Sequence, residues 1–353
     1  IYKAQVYTTW AFFYELSILM HPFERKTSQS SKQSITMPCK KILFSFFLII
    51  AALISYSQQK MNNYERSWKK IDSLIEKSGL AKSALKEVDV IYNAAKKENN
   101  YTQVIKALLY KMNLNEEISE QSKYENIALL EKEITTAKEP ARSVLNSIAA
   151  SSYWNYLQQN RWKFYNRTAT VNYKKEDLAT WDINDLNEKI SSLFLASVQN
   201  NEILKNTPLE PYDAIIIKGN VRNLRPTLYD LLAHRALDYF KNDERGINKP
   251  AYAFEIDDAA AFADAKDFAG HTFETKDSSS LHYKALKIFQ ELLSFHLNDK
   301  QPDALIDADI ERIEFVNTYG TLPEKNELYR QALEKLVTLS PNNPVATSAT
   351  YLL

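Results

Sequence analysis

The sequence predicts an all-α protein built of antiparallel helical hairpins, tetratricopeptide-like or arranged as an irregular α-solenoid or bundle. Three observations point there. Glycine is scarce, with five in 353 residues, and glycine supplies the φ > 0 corners of tight β-hairpins and phosphate loops. From Tyr64 onward, apolar residues recur at helical spacing. Short breaks carrying Gly, Asn or Pro separate these runs. The same scarcity argues against nucleotide-binding enzymes of the Rossmann or P-loop kind. Lys+Arg and Asp+Glu both number 44, so no broad positive field invites nucleic acid. With 45% hydrophobic residues, the chain is long enough for one large or two smaller cores.

Residues 64–77 place Trp68, Ile71 and Ile75 on one face, and Gly79 ends that helix. Residues 80–97 carry a stripe of Leu80, Ala84, Leu85, Val88, Ile91, Tyr92 and Ala95, and Asn99-Asn100 reads as a turn. Residues 101–119 repeat the device with Val104, Ile105, Leu108, Leu109 and Met112. A helix follows over about 123–137, and Pro140 opens another to about 160. Residues 60–140 thus form the N-terminal hairpins, and 141–280 a central, aromatic-rich region. There Asp182 with Asp185 reads as an N-cap, with a helix to about 203. Pro226 suits a first helical turn, and the helix after it is apolar over so wide an arc that neighbours should enclose it. Residues 242–280 hold Gly246, Pro250, Gly270 and a Ser278–Ser280 run. They are the longest candidate for irregular or short β structure. The region 281–353 is repeat-like, with helices expected at 281–297, 303–318 and 324–339 and another from near Val345. The final helix reads as truncated at Leu353.

The stretch MPCKKILFSFFLIIAALISYSQQ, residues 37–59, has the three-part plan of a secretory signal peptide. Lys40 and Lys41 precede an apolar run from Ile42 to Ile54. Small residues then lead to cleavage between Ser57 and Gln58, so the signal covers 37–57. A buried core helix or a membrane anchor is the competing reading, but the run falls short of the roughly 20 residues that spanning needs. An exported product, in the periplasm or cell envelope, follows, with membrane contact only through the transient signal. The single cysteine, Cys39, precedes the run, so it is not placed as a lipoprotein cysteine and permits no disulfide within the chain. Residues 1–36 read as over-extended upstream translation, with a genuine leader as the alternative.

Asp230, His234, Asp238 and Lys241 lie on one helical stripe. Metal sites use such i, i+4 pairs, but Asp230 and Asp238 lie about 12 Å apart along the axis and cannot share an ion. The favoured reading of Asp230, His234 and Asp238 is therefore a structural polar seam, with His234 bonded to a carboxylate. A metal or catalytic role is the rival. His282 and His296 are four turns apart, and His271 sits in the irregular segment. No H-E-x-x-H, G-x-S-x-G or Walker motif occurs. Asp257-Asp258 reads as surface charge. The aromatic group Tyr153, Trp154, Tyr156, Trp162, Phe164 and Tyr165, with Arg161 and Arg167, reads as packing, with a sugar- or base-stacking face as the alternative. Asn100-Tyr-Thr and Asn166-Arg-Thr fit the glycosylation pattern. No catalytic, cofactor-binding or metal-binding residue is assigned.

Three stretches together carry a resemblance: YWNYLQQNRWKFYNRT with TWD following, RPTLYDLLAHRALDYF, and ALKIFQELLSFHLNDKQPDALIDADIERIEF. They resemble the N-terminal helical region of bacterial alpha-2-macroglobulin-like proteins, over roughly residues 60–353. The resemblance implies an exported, non-enzymatic scaffold. Its partners would be the downstream macroglobulin domains of a longer protein and, through them, proteases trapped by entrapment. The bait region, macroglobulin domains and Cys-Gly-Glu-Gln thioester of that family have no counterpart in these residues. The alternative is a free-standing envelope adaptor of helical repeats that binds peptide or polysaccharide. A third reading is a helical hydrolase using Asp230, His234 or Asp238.

Overall fold

The computed structural model describes residues 63–77, 79–119, 122–165, 178–219, 221–242 and 250–353. The proposed leader, signal peptide and Ser57–Gln58 cleavage site lie outside the described residues, as do Cys39, Arg167 and Asn166-Arg-Thr. Residues Tyr64–Leu353 pack as one unit.

The observed architecture is all-α, and no strand forms among the described residues. Helix α1 covers 63–76. It ends at Gly79, whose φ of +56° is the left-handed conformation that glycine adopts without penalty. α2, Ala81–Glu98, stops at Asn99, itself left-handed at φ 55°. The Asn100 N–H reaches back to Ala95 O at 2.9 Å, closing the orphan carbonyls of the last turn. Asn100 then caps α3, Tyr101–Ile118, by accepting from the Gln103 N–H. A two-residue link therefore folds α2 and α3 into an antiparallel pair, and Lys111 meets Asp89 across it at 2.7 Å. Trp68 and Ile71 of α1 pack with Ala84, Val88 and Ile91 of α2 and with Ala107 and Leu114 of α3 in a small core.

α4, Ser122–Thr136, leads to the 25-residue α5, Ala141–Tyr165. α6, Ile183–Val198, begins with a capping box: Asp182 accepts from the Asn184 and Asp185 N–H groups, and Asp185 accepts from the Asp182 N–H. The single helix expected as far as 203 is two, because the chain turns at Gln199–Asn200 before α7, Asn201–Lys205. α8 is Leu228–Phe240, and Thr227 rather than a proline-led turn starts it. It packs against α5, α6, α7 and α10. Leu228, Tyr229, Leu232, Ala233, Ala236, Leu237 and Phe240 are fully or almost fully buried. Each large side chain among them contributes about 1.5–3 kcal/mol of burial. The enclosure expected from the wide apolar arc is observed.

The irregular segment contains a 3-10 turn at Ala259–Phe262 and a short helix α9, Ala265–Gly270. Among its described residues, the β content is one isolated parallel bridge, Ile256 with Gly320. Then come α10, Leu281–His296; α11, Asp303–Tyr319; α12, Lys325–Leu339; and α13, Thr347–Leu352. Each packs on the next. Helix lengths vary from 5 to 25 residues, so the hairpins build an irregular stack rather than a uniform repeat.

Gly320 closes α11 against Ile256. A Cβ there would meet Val316 O at 2.6 Å and Ile256 O at 3.5 Å, so backbone must shift. Gly320→Ala is expected to lower the unfolding free energy by about 1–3 kcal/mol. Gly219→Ala, with nothing within 4 Å of its Cβ position, stays within roughly 0.5 kcal/mol of the parent. Urea unfolding of both variants checks this.

Candidate functional site

The polar groups concentrate where α8, α10 and α11 meet. Asp230, the third residue of α8, uses its two oxygens differently. Oδ2 accepts from the Thr227 N–H at 2.9 Å and from Thr227 Oγ1 at 2.6 Å, completing a capping box. Oδ1 accepts from His296 Nε2 at 2.6 Å. His296 ends α10, and its Nδ1 donates to Asp299 Oδ2 at 2.7 Å. A carboxylate on each ring nitrogen makes both nitrogens donors, so the imidazole is cationic. Burial, the largest influence on His296, opposes that charge, but the bonds and fields of Asp230 and Asp299 outweigh it and raise the imidazole above its ordinary pKa. Burial likewise pushes the Asp230 carboxyl up, but His296 and Thr227 hold it below the usual carboxylate range. Both partners are 1% exposed.

One turn further along α8, His234 Nδ1 lies 2.7 Å from Glu311 Oε2. Glu311, on α11, also accepts from Lys241 Nζ at 2.5 Å through Oε1. Arg225 NH2 stands 3.9 Å away, and Arg225 bonds Asp307 through NH1. Burial, the largest influence, opposes the Glu311 charge, but His234 and Lys241 overcome it and bring the carboxyl down to about 2.

The expected single seam of Asp230, His234 and Asp238 is therefore three separate environments. Asp230 joins α10, and His234 joins a carboxylate on α11 rather than one on its own stripe. Asp238 is largely in solvent, with Lys241 at 3.8 Å. The reason is geometric. A stripe rises about 6 Å per four residues, so each member meets a different neighbour.

On α11, Arg312 is fully buried. It donates to Asp309 Oδ1 from Nε at 2.9 Å and NH2 at 2.6 Å, to Ala263 O at 2.9 Å and to Ala261 O. Its guanidinium lies over the Phe268 ring, 4.5 Å from the centroid. It thereby ties the irregular segment to the helical stack. Beside it, the segment, α11, α12 and the 340–344 turn enclose a cleft of ≈780 Å³.

Other sequence-derived candidates fall elsewhere. Asp258, expected as plain surface charge, caps the Ala260 N–H at 2.8 Å and meets His271 Nε2 at 2.7 Å. Asp257 remains exposed. Of the aromatic group, Tyr153, Tyr156 and Phe164 are core residues, Trp154 packs edge-on to Tyr239, and Trp162 is 70% exposed. His282 packs against Phe315 and Tyr319 rather than near His296. Asp309 with Arg312 is an i, i+3 pair open to sequence reading, whereas the partners of Glu311 and the Ala261 and Ala263 contacts of Arg312 are distant and carry no local signal. Among the described residues, no group of three or more His, Cys, Asp or Glu is placed to hold a metal ion, and no helix is long and apolar enough to cross a membrane. Comparison with family models, curated proteins and solved structures finds no match.

The downward displacement of Glu311, from an ordinary 4.5 to about 2, corresponds to about 3 kcal/mol. A depressed carboxylate stabilises above its unfolded pKa, and that contribution fades as pH falls from about 4.5 towards 2. Glu311→Gln is therefore expected to cost on the order of 2–3 kcal/mol at pH 7, with the gap to the parent narrowing below pH 4. Urea unfolding across pH checks this, and a gap independent of pH would contradict it.

Proposed function

We propose that the chain is a non-enzymatic helical scaffold, the N-terminal part of an exported alpha-2-macroglobulin-like protease inhibitor. One observation carries this reading. Two of the three stretches bearing the family resemblance supply both sides of the ionic joints: Asp230 with His296, His234 with Glu311, and Arg225 with Asp307. The resembling residues thus serve helix-to-helix cohesion. The third stretch supports the same role, since Tyr153 of α5 stacks on Trp181 with centroids 5.9 Å apart and planes 11° apart. In this reading, macroglobulin domains downstream do the trapping, and the helical region spaces or orients them.

Chemistry at α8 finds less support. A general base needs an unengaged lone pair within reach of a substrate. Asp230 has both oxygens engaged, by Thr227 and His296, and the His234 side chain is only 12% exposed, so neither presents its lone pairs to an open cleft. The cleft beside Arg312 favours a second reading, the free-standing envelope adaptor, because it is large enough for a peptide or sugar unit.

Two outcomes separate these readings. In the longer protein, deleting residues 60–353 is expected to alter localisation or reduce protease trapping, with both assayed against the intact chain. Unchanged localisation and trapping would sink the scaffold reading. A downstream reading frame without macroglobulin domains would favour the adaptor.

A further inference from the structure

The two carboxylates that flank His296 sit in opposite environments. On Nε2, the Asp230 side chain is 1% exposed and its other oxygen is held by Thr227. On Nδ1, the Asp299 side chain is 37% exposed and belongs to the link 297–302 between α10 and α11. Asn298, Lys300 and Gln301 of this link are exposed. Among the described residues, the Asp299–His296 bond is the one side-chain hydrogen bond that the link makes. A continuous chain of bonds thus runs from the surface link through Asp299, His296 and Asp230 to Thr227 at the start of α8.

Both ring bonds require an imidazolium, since a neutral imidazole donates from one nitrogen only. A rise in pH therefore removes one bond, and the environments decide which. Loss of the Nε2 proton would leave a buried Asp230 charge without a donor on Oδ1, which is costly. Loss of the Nδ1 proton sets a ring lone pair against the Asp299 carboxylate, two acceptors that repel, and Asp299 can turn into water. The proton passes to solvent on that exposed side.

The other charges near α10 are committed elsewhere. On α8, His234 faces Glu311, Arg235 donates to Ser147 and Ser151, and Asp238 is in solvent. On α11, Asp303 is bonded by Asn343, Asp307 by Arg225 and Asp309 by Arg312, and Glu314 is exposed. Lys266 and Asp267 of α9 are exposed, and Lys205 of α7 lies over the Tyr229 and Phe295 rings. On α10 itself, Glu291 accepts from the Tyr229 hydroxyl. Asp230 and Asp299 are the charges that act on His296.

We propose that His296 is a pH-operated latch: as the imidazolium it holds the α10–α11 link closed, and on losing the Nδ1 proton it releases Asp299 while Nε2–H stays on Asp230. Burial, the largest influence, opposes the charge, but the two carboxylates raise the imidazole above its ordinary 6.5. The contribution of the latch is therefore complete below 6.5 and is lost as pH rises through the folded-state midpoint. The latch is independent of whether the chain serves as scaffold or adaptor.

Long-range ¹H–¹⁵N NMR of the protein carrying ¹⁵N-labelled histidine, titrated upward from pH 6, tests the proposal. His296 is expected to be cationic at pH 6, to titrate above 6.5 and to emerge as the Nε2–H tautomer, with the backbone amides of 297–302 shifting at the same midpoint. Asp299→Asn, checked for folding by circular dichroism, is expected to lower that midpoint by about one pH unit or more. The tautomer of the parent protein decides the matter even if that variant fails to fold. An Nδ1–H tautomer at high pH, a ring that stays neutral or stays charged throughout, or link amides that ignore the midpoint would overturn the proposal. So would an unmoved midpoint in a folded Asp299→Asn.

Discussion

The Asp230 carboxylate is the constraint on which the rest of the stack depends. One oxygen fixes where α8 begins, through Thr227, and the other fixes where α10 ends, through His296. A helix start and a neighbouring helix end are thus tied to one side chain, which sets the axial register of two central helices. Register is the quality that apolar packing specifies least, since a sliding interface keeps much of its buried area. Burying the pair costs solvation of both ions, and a well-packed apolar substitute can be as stable. What the pair adds, in this account, is a unique alignment.

α11 repeats the logic with adjacent residues. Glu311 reaches His234 and Lys241 on one side, while Arg312 reaches the 261–268 segment on another. Neighbouring positions on a helix point about 100° apart, so two consecutive charges serve two interfaces. This explains how a long irregular segment persists within a helical protein. Its backbone carbonyls at Ala261 and Ala263 are satisfied by a buried guanidinium in place of a ladder partner.

What was legible in the sequence was local. The Asp182–Asp185 cap, the Asn99-Asn100 turn and the helices around 281–339 follow from contacts within a few residues, where spacing alone decides geometry. The Thr227–Asp230 capping box was equally local, but the Asp230–His234–Asp238 stripe drew those residues into one seam instead. The partners of Asp230 and His234 were not legible. Asp230 and His296 are separated by 66 residues, and no pattern within either helix announces the other. The cleft was hidden for the same reason, because its walls come from the 262–265 turn, α11, α12 and the 340–344 turn. Among the described residues of 242–280, short β structure amounts to one bridge, Ile256 with Gly320, and Arg312 satisfies the Ala261 and Ala263 carbonyls.

The most direct measurement of the central claim is a double-mutant cycle on Asp230→Asn and His296→Gln, followed by urea unfolding at neutral pH. The account predicts a coupling energy above about 1 kcal/mol, as expected for a contacting buried charge pair. Additivity of the two substitutions, with both singles stably folded, would show that the pair does not align the helices and would contradict it.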